Sequence, residues 1–319
     1  MNFSNFFKTV VDVHKKSGKP SIVIFFDAII CGFKYQAGYV DYQLFEMYKM
    51  NAEERKTVIT RGINNDIIKK YNKDEYFKYF NDKALFNEKF DKFLKRDWLY
   101  LDGENYDKFC EFLKGKKEII VKPTVGSCGK GVDKLTVDGR DSRKLYDTLV
   151  SENRRLVEEV AIQCNEIGKI HPTSINTVRA VTLNGKMVFA CLRMGNKGYV
   201  VDNFNHEGLV APIDVNDGII KYIAIDKQHN EYAEHPYTHE RIVGLQIPMW
   251  SEIVKLCEAA AKVIPEIGYV GWDVCVGIDE PFLIEGNEFP GHDLYQLPPH
   301  RDGNTGLLPI FKKAMEEDI

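Results

Sequence analysis

At 319 residues, 44% hydrophobic and 28% charged, the chain has the size and composition of a soluble globular enzyme with one large core or two modest ones. Its formal net charge of -4 removes the overall electrostatic case for nucleic acid or an anionic membrane as partner. Seven cysteines, none in a Cys-x-x-Cys pair, exclude a disulfide framework and a cysteine zinc site and fit a reducing compartment.

The opening Met-Asn-Phe-Ser-Asn-Phe-Phe-Lys lacks the charged-then-apolar plan of a signal peptide, so a cytoplasmic protein is expected. Ser21 to Phe33 is the most apolar early run, but Asp27 interrupts it and it is too short to span a bilayer. An amphipathic membrane-surface element is the weaker reading of it. Residues 1 to about 115 are aromatic, charged and poor in glycine, with helical spacing at Phe77, Phe80, Leu85, Phe86, Phe90, Phe93 and Leu94. This part reads as a helical region of unannounced function.

At 118 the pattern changes. Glu-Ile-Ile-Val-Lys-Pro alternates as a strand, a glycine loop from Gly126 to Gly131 follows, and Val132 to Val137 runs on as a second strand. Such a loop, with Ser127, Gly129 and Gly131, offers bare backbone N–H groups to phosphate oxygens, and Lys122 stands on the strand before it. Read alone, a glycine hairpin is more often only a turn. The loop matches neither Gly-x-x-x-x-Gly-Lys-Ser/Thr nor a Gly-x-Gly-x-x-Gly that opens a helix.

Residues 141 to 152 have helical character, and 156 to 163 return to strand. Asn184-Gly185 between two apolar runs is a strong hairpin signal. It carries Arg179 and Arg193 toward the far ends of the paired strands. Arginine forks bind carboxylate or phosphate bidentately, although two arginines on a sheet edge fit the same spacing. His229, His235 and His239 fit no metal template and read as surface histidines. Ser251 is the expected cap of a helix over 252–264 that Pro265 and Gly268 end.

The last signal is the most informative. Gly271 to Asn287 contains two apolar runs around Asp279-Glu280-Pro281, the pattern of a β-hairpin. Asp273 lies six residues before Asp279 and Glu285 six after it, so the carboxylates oppose each other with Asn287 on the same face. Opposed like charges interrupting apolar runs require a positive group between them. Two carboxylates and an amide oxygen are hard ligands of the kind that hold Mg²⁺.

Taken together, the strand lysine with its glycine hairpin, the acidic strand end Glu158-Glu159, the two arginines and the Asp…Glu-x-Asn hairpin resemble the ATP-grasp superfamily of carboxylate–amine ligases. Ser174-Ile-Asn-Thr-Val-Arg179, Asp202-Asn203-Phe204 and Trp272-Asp273 are similar to elements of its sugar-transfer-associated branch, which accompanies surface-polysaccharide synthesis. The resemblance covers roughly residues 80 to 295. It implies an α/β (α+β) fold, with two α+β subdomains clasping a nucleotide and a mostly helical N-terminal region. The implied divisions are a pre-grasp region 1–115, a lid 116–160, and a subdomain 161–319 with the metal and substrate site.

By position the resemblance implies that Lys83 and Lys122 contact the phosphates of ATP beneath the Gly126–Gly131 flap. It places adenine against Glu158, Glu159 and the backbone at Val160 to Ile162, and ribose at Glu166. Asp273, Glu285 and Asn287 would hold Mg²⁺, with Mn²⁺ as a substitute. Ser174, Asn176, Arg179, Asn203 and His206 would bind the substrate, and Arg179, Arg193 and Lys122 would serve catalysis. The implied reaction joins a small-molecule carboxylate to an amine through an acyl phosphate, with no nucleic acid partner. A kinase acting on a hydroxyl and a non-catalytic nucleotide-binding module are the alternatives. D-alanine–D-alanine ligases carry an arginine two residues before the metal aspartate, where Gly271 stands here.

Overall fold

A computed structural model describes residues 3–126, 131–196 and 208–316, and the chain divides into two units, 1–72 with 289–319 and 73–288. The divisions fall at 72 and 288. The first unit is helical. It begins with α1 (Phe3–Ser17) and α2 (Ser21–Tyr35), whose inner faces bury Phe6, Val10, Val13, Ile24, Ala28 and Cys31.

Residues 289–316 join this unit because buried polar groups leave them no other place. The Gln296 amide accepts from Ile59 N at 3.1 Å and donates to Ile59 O at 2.6 Å. The His292 ring lies 2.9 Å from one Asp41 oxygen, while the other accepts from Gly38 N and Arg61 N. Each closes a backbone or carboxylate that burial would otherwise leave unmatched.

The second unit holds two antiparallel sheets. Strands β1 (Trp98–Tyr100), β2 (Glu118–Lys122), β3 (Asp133–Thr136) and β4 (Leu156–Glu159) form the smaller, in the order β1-β4-β2-β3. The helices Tyr106–Leu113 and Ser142–Ser151 supply its core through Phe109, Leu145, Tyr146 and Leu149. Asp141 caps the second of these, accepting from Arg143 N and Lys144 N.

The larger sheet contains β5 (Thr177–Leu183), β6 (Lys186–Met194), β7 (Leu209–Ile213), β8 (Ala224–Ile225), β9 (Glu231–Tyr232), β10 (Tyr269–Val276) and β11 (Pro281–Asn287). Its order is β11-β10-β5-β6-β7-β8-β9. Asn184 and Gly185 turn the β5–β6 hairpin with φ of 57° and 74°, the left-handed pair that a two-residue turn needs. Two helices, Lys83–Leu94 and Trp250–Ala260, contribute Phe86, Phe90, Phe93, Ile253 and Cys257 to the core of this sheet.

Two local expectations are corrected. The helix after 248 starts at Trp250, with Met249 in a left-handed conformation as its cap residue, and Ser251 donates to Glu252 instead of capping. His235 is fully buried, not on the surface, because Gly195 O lies 3.0 Å from its ring nitrogen.

Candidate active site

The expected hairpin forms, but its turn is centred between Ile278 and Asp279 and a register shift brings the two acids opposite each other. Asp273 on β10 is the register partner of Glu285 on β11, and Gly271 that of Asn287. A bulge follows Asp273. On its other side β10 pairs with β5, which sets Asp273 opposite Arg179. Arg193 pairs with Thr177 two residues along, so both arginines reach one carboxylate.

The contacts follow from that register. Arg179 Nε and Nη2 donate to the two Asp273 oxygens at 2.5 and 3.1 Å, a bidentate fork. Arg193 Nη1 lies 3.1 Å from both. Burial works to raise the Asp273 carboxyl, but the two guanidiniums outweigh it and hold it below the usual range. Glu285 goes the other way. Burial first, and then the Asp273 charge, push it up against the weaker pull of Arg179 and Lys122.

The opposite face of the same strands is core. Trp272 is fully buried, packs against Phe80 and Phe90, and donates from Nε1 to Thr182 Oγ1 at 2.9 Å. Between Glu285 and Asn287, Gly286 lies so close to this aromatic layer that a Cβ there would come within 2.9 Å of Phe86 and 3.0 Å of Trp272. Alternation therefore separates charge from core one residue at a time.

Lys122 approaches from the end of β2 in the smaller sheet, and Lys83 from the start of the helix packed on the larger one. Asp82 caps the helix that Lys83 opens, and Lys83 Nζ donates to Gly126 O at 2.5 Å, which brings the start of the glycine loop to the helix end. Burial and then the Lys122 charge lower the Lys83 ammonium, while Glu285 acts against both as the largest opposing charge. Lys122 Nζ pairs with Glu158 Oε2 at 2.8 Å.

Glu158, which the resemblance implies for adenine, is buried and has partners inside the protein. Besides Lys122 it accepts from Asn87 Nδ2 at 2.7 Å and from Arg96 at 3.2 and 3.3 Å. Burial pushes its carboxyl up, but Lys122 and Arg96 bring it down to about 2. Sequence reasoning missed Asn87 and Arg96. Arg96 also donates to the carbonyls of Leu283 at 2.6 Å and Ile284 at 3.2 Å, which ties β4 of one sheet to β11 of the other. The only signal for it was a charged residue between two apolar runs. Glu159 is partly exposed and its carboxylate accepts from Asp97 N at 3.2 Å, while Val160 is half-buried, and Ile162 and Glu166 are exposed.

Ser174 and Asn176 are buried and engaged with the backbone around them. The Ser174 hydroxyl meets His171 Nδ1 at 2.8 Å. Asn176 Nδ2 donates to Ile167 O and His171 O, and its Oδ1 accepts from Gly195 N. Gln163 accepts from Asn176 N and donates to Ser174 O, so it fastens the same turn. A Cβ on Gly195 would stand 2.3 Å from His171 Nδ1 and 2.4 Å from Ser174 Oγ. These groups fix the end of β6, two residues beyond Arg193. Asn203 and His206, and Ser127, Cys128 and Gly129 of the loop, lie outside the described residues. Gly131 is described, with φ of 75°.

Among the described residues no group of three or more His, Cys, Asp or Glu side chains is placed to hold a metal ion. Among the described residues, a cation at this hairpin would find Asp273, Glu285 and the Asn287 amide.

The sequence from 62 to 312 matches the model of the family described as sugar-transfer associated ATP-grasp. The chain belongs to that family. No curated protein matches this ATP-grasp chain. Among solved structures it is similar to the ATP-grasp ligase PsnB complexed with a phosphomimetic precursor variant, Mg and ADP, at 13% identity and a TM-score of 0.44. That match covers 77% of this chain and 60% of PsnB, so the chain spans less than two thirds of that ligase. D-cycloserine synthetase DcsG matches at 12% identity and 0.44, covering 76% of this chain and 71% of that one. The D-alanine–D-alanine ligase of Bacillus anthracis matches at 16% and 0.42, covering 75% and 66%.

Proposed function

We propose that this ATP-grasp chain is an ATP-dependent ligase that joins a small-molecule carboxylate to an amine in the assembly of a polysaccharide or sugar conjugate. The observation that carries the reading is the buried pair Asp273–Glu285, with Arg179 and Arg193 on one carboxylate and Lys122 and Lys83 within electrostatic reach of the other.

This arrangement suits a divalent cation. Glu285 is buried against a like charge that raises it, and a cation between the two carboxylates would reverse that cause. Asn287 donates its NH₂ group to Gly271 O at 3.4 Å, so its carbonyl oxygen is the atom it offers. Asp273, Glu285 and Asn287 would hold Mg²⁺, which supplies charge neutralisation at phosphate oxygens when bound.

The chain's own groups have separable tasks. Lys83 and Lys122 hold the phosphates of ATP, and Glu158 keeps Lys122 aimed. Glu159, the backbone at Val160 to Ile162 and Glu166 receive the nucleoside. An oxygen of the substrate carboxylate attacks the γ-phosphorus, and the bond to the ADP oxygen breaks. The amine nitrogen then attacks the acyl carbon, the bond to phosphate breaks, and the amine loses a proton. Arg179 and Arg193 face the negative charge that grows on the acyl oxygen. Asn203 and His206 are assigned to the substrate side with Ser174 and Asn176, the latter two acting by holding the β6 end.

The test is a screen for ADP and phosphate release over pairs of acids and amines, sugar acids and amino acids included, with Mg²⁺. A ligase releases both products only when acid and amine are present together. Accumulation of a stable phosphorylated hydroxyl compound without amine would replace this reading by a kinase. Turnover by Asp273→Asn equal to that of the wild type would remove the site itself.

A further inference from the structure

The helices α1 and α2 are apolar on the wrong side as well as the right one. Their buried faces account for Phe6, Val10, Val13, Ile24, Ala28 and Cys31. Facing solvent are Phe3, Phe7 and Val11 on α1, and Ile22, Val23, Phe26, Ile30 and Phe33 on α2. Phe3 is 66% exposed, Ile22 62% and Phe33 89%. Both sets repeat at helical spacing, 3-7-11 and 22-26-30, so each is a stripe and not scatter. Ring stacking of Phe7 on Phe25, with centroids 6.0 Å apart, sets the two helices side by side. Isolated exposed apolar residues are ordinary, but eight on two adjacent short helices form a patch that calls for a partner.

Charge identifies the partner. Residues 1–40 contain five lysines and two aspartates, a formal +3 inside a chain of -4. Lys8, Lys15, Lys16, Lys19 and Lys34 are all exposed. Lys15 continues the stripe after Val11 and Lys34 the stripe after Ile30, where their stems can lie along the apolar surface with the ammonium outward. Of the two acids, Asp27 is neutralised on the inner side by a bidentate Arg55 at 2.7 Å and by Tyr42 at 2.7 Å. The same contacts tie α2 down on its Asp27 side. An isologous pairing of this patch with a second copy would bring lysines against lysines. An anionic lipid surface takes both the apolar stripes and the cationic rim.

We propose that α1 and α2 form an interfacial membrane anchor, lying in the headgroup region of an anionic bilayer with Phe3, Phe7, Phe26, Ile30 and Phe33 inserted. Neither helix is long enough to cross. The inference is independent of the ligase reading, since it uses no residue of the nucleotide site.

Flotation of the full chain with vesicles of equal parts phosphatidylcholine and phosphatidylglycerol tests it, with pure phosphatidylcholine as control. The wild type should float with the anionic vesicles, bind the neutral ones at least tenfold more weakly, and be released by high salt. Phe26→Glu with Ile30→Glu should lower anionic binding at least tenfold with an unchanged far-UV spectrum and melting temperature, and Lys15→Glu with Lys34→Glu should do so in part. Equal binding by the wild type and the Phe26/Ile30 variant overturns the proposal, as does failure of the wild type to bind. Sedimentation of the wild type as a dimer that the same substitutions dissociate would assign the face to a second copy and also overturn it.

Discussion

Asp273 and Glu285 face each other across one strand pair, yet their surroundings drive the two carboxyls in opposite directions. Asp273 pairs with both arginines, and at Glu285 burial and a like charge outweigh the pull of Arg179 and Lys122. Substitution of Glu285 therefore has two effects of opposite sign. Without metal or nucleotide, Glu285→Gln removes a repulsion and should leave the melting temperature unchanged or raise it by a few degrees. Added Mg²⁺ with a non-hydrolysable ATP analogue should stabilise the wild type by about 3 kcal/mol at a hundredfold excess over Kd and the variant by much less. Equal shifts in a fluorimetric melt would refute the assignment of Glu285 as a metal ligand.

The buried cluster around Glu158 makes a prediction about acid stability. Its folded value lies near 2 against an ordinary 4.5, so the unfolded chain binds the proton more readily. The stability this contributes is present above pH 4.5 and is lost as pH falls toward 2. The shift corresponds to about 3 kcal/mol at neutral pH. Glu158→Gln should flatten the denaturant midpoint over that window relative to the wild type.

Arg96 has a larger expected effect. Arg96→Ala strips Glu158 of one cation and leaves the Leu283 and Ile284 carbonyls without their donor. Breaking a buried pair from one side costs about 3–5 kcal/mol. Urea unfolding should show a loss of that size, and Arg96→Lys should recover only part because an ammonium cannot span the same fork.

Arg179 and Arg193 should respond differently to the same conservative change. On Asp273, Arg179 sets two nitrogens on two oxygens, whereas Arg193 sets one nitrogen between both. A lysine can imitate the second arrangement better than the first. Under the ligase reading, Arg179→Lys should lower kcat/KM by at least tenfold more than Arg193→Lys, measured by coupled ADP release.

Gly195 tests how the end of β6 is fixed. A methyl group placed 2.3 Å from the His171 ring and 2.4 Å from the Ser174 hydroxyl forces that turn apart. Overpacking of this kind costs about 1–3 kcal/mol. Gly195→Ala should destabilise by that amount and, by moving the strand end, should also weaken turnover. Gly185→Ala, which meets no neighbour but needs a positive φ, serves as the comparison for backbone strain alone.

The parts legible in sequence were those that depend on nearby residues. Asn184-Gly185 and Asp279-Glu280-Pro281 mark the two hairpins, while the β5–β10 pairing that sets Arg179 opposite Asp273 is long-range and not local. Period-two alternation then fixes which side chains share a face. The gathering of Lys122, Arg96 and Asn87 on Glu158 was not legible, because it joins residues from 87 to 158 on two strands of one sheet, a helix and a loop, and no local pattern encodes it. The same holds for His235, whose burial depends on Gly195 forty residues away. The return of His292 and Gln296 to Asp41 and Ile59 spans well over two hundred positions, and a window of helical or strand spacing is blind to it.

Along β10, Trp272 and Asp273 are consecutive, one anchored among phenylalanines and the next gripped by two guanidiniums. A single strand thus serves as both keel and tiller. Any replacement that slides Trp272 within its aromatic bed drags the neighbouring carboxylate with it. Evolution and engineering alike would find foldedness and turnover at this strand hard to vary independently.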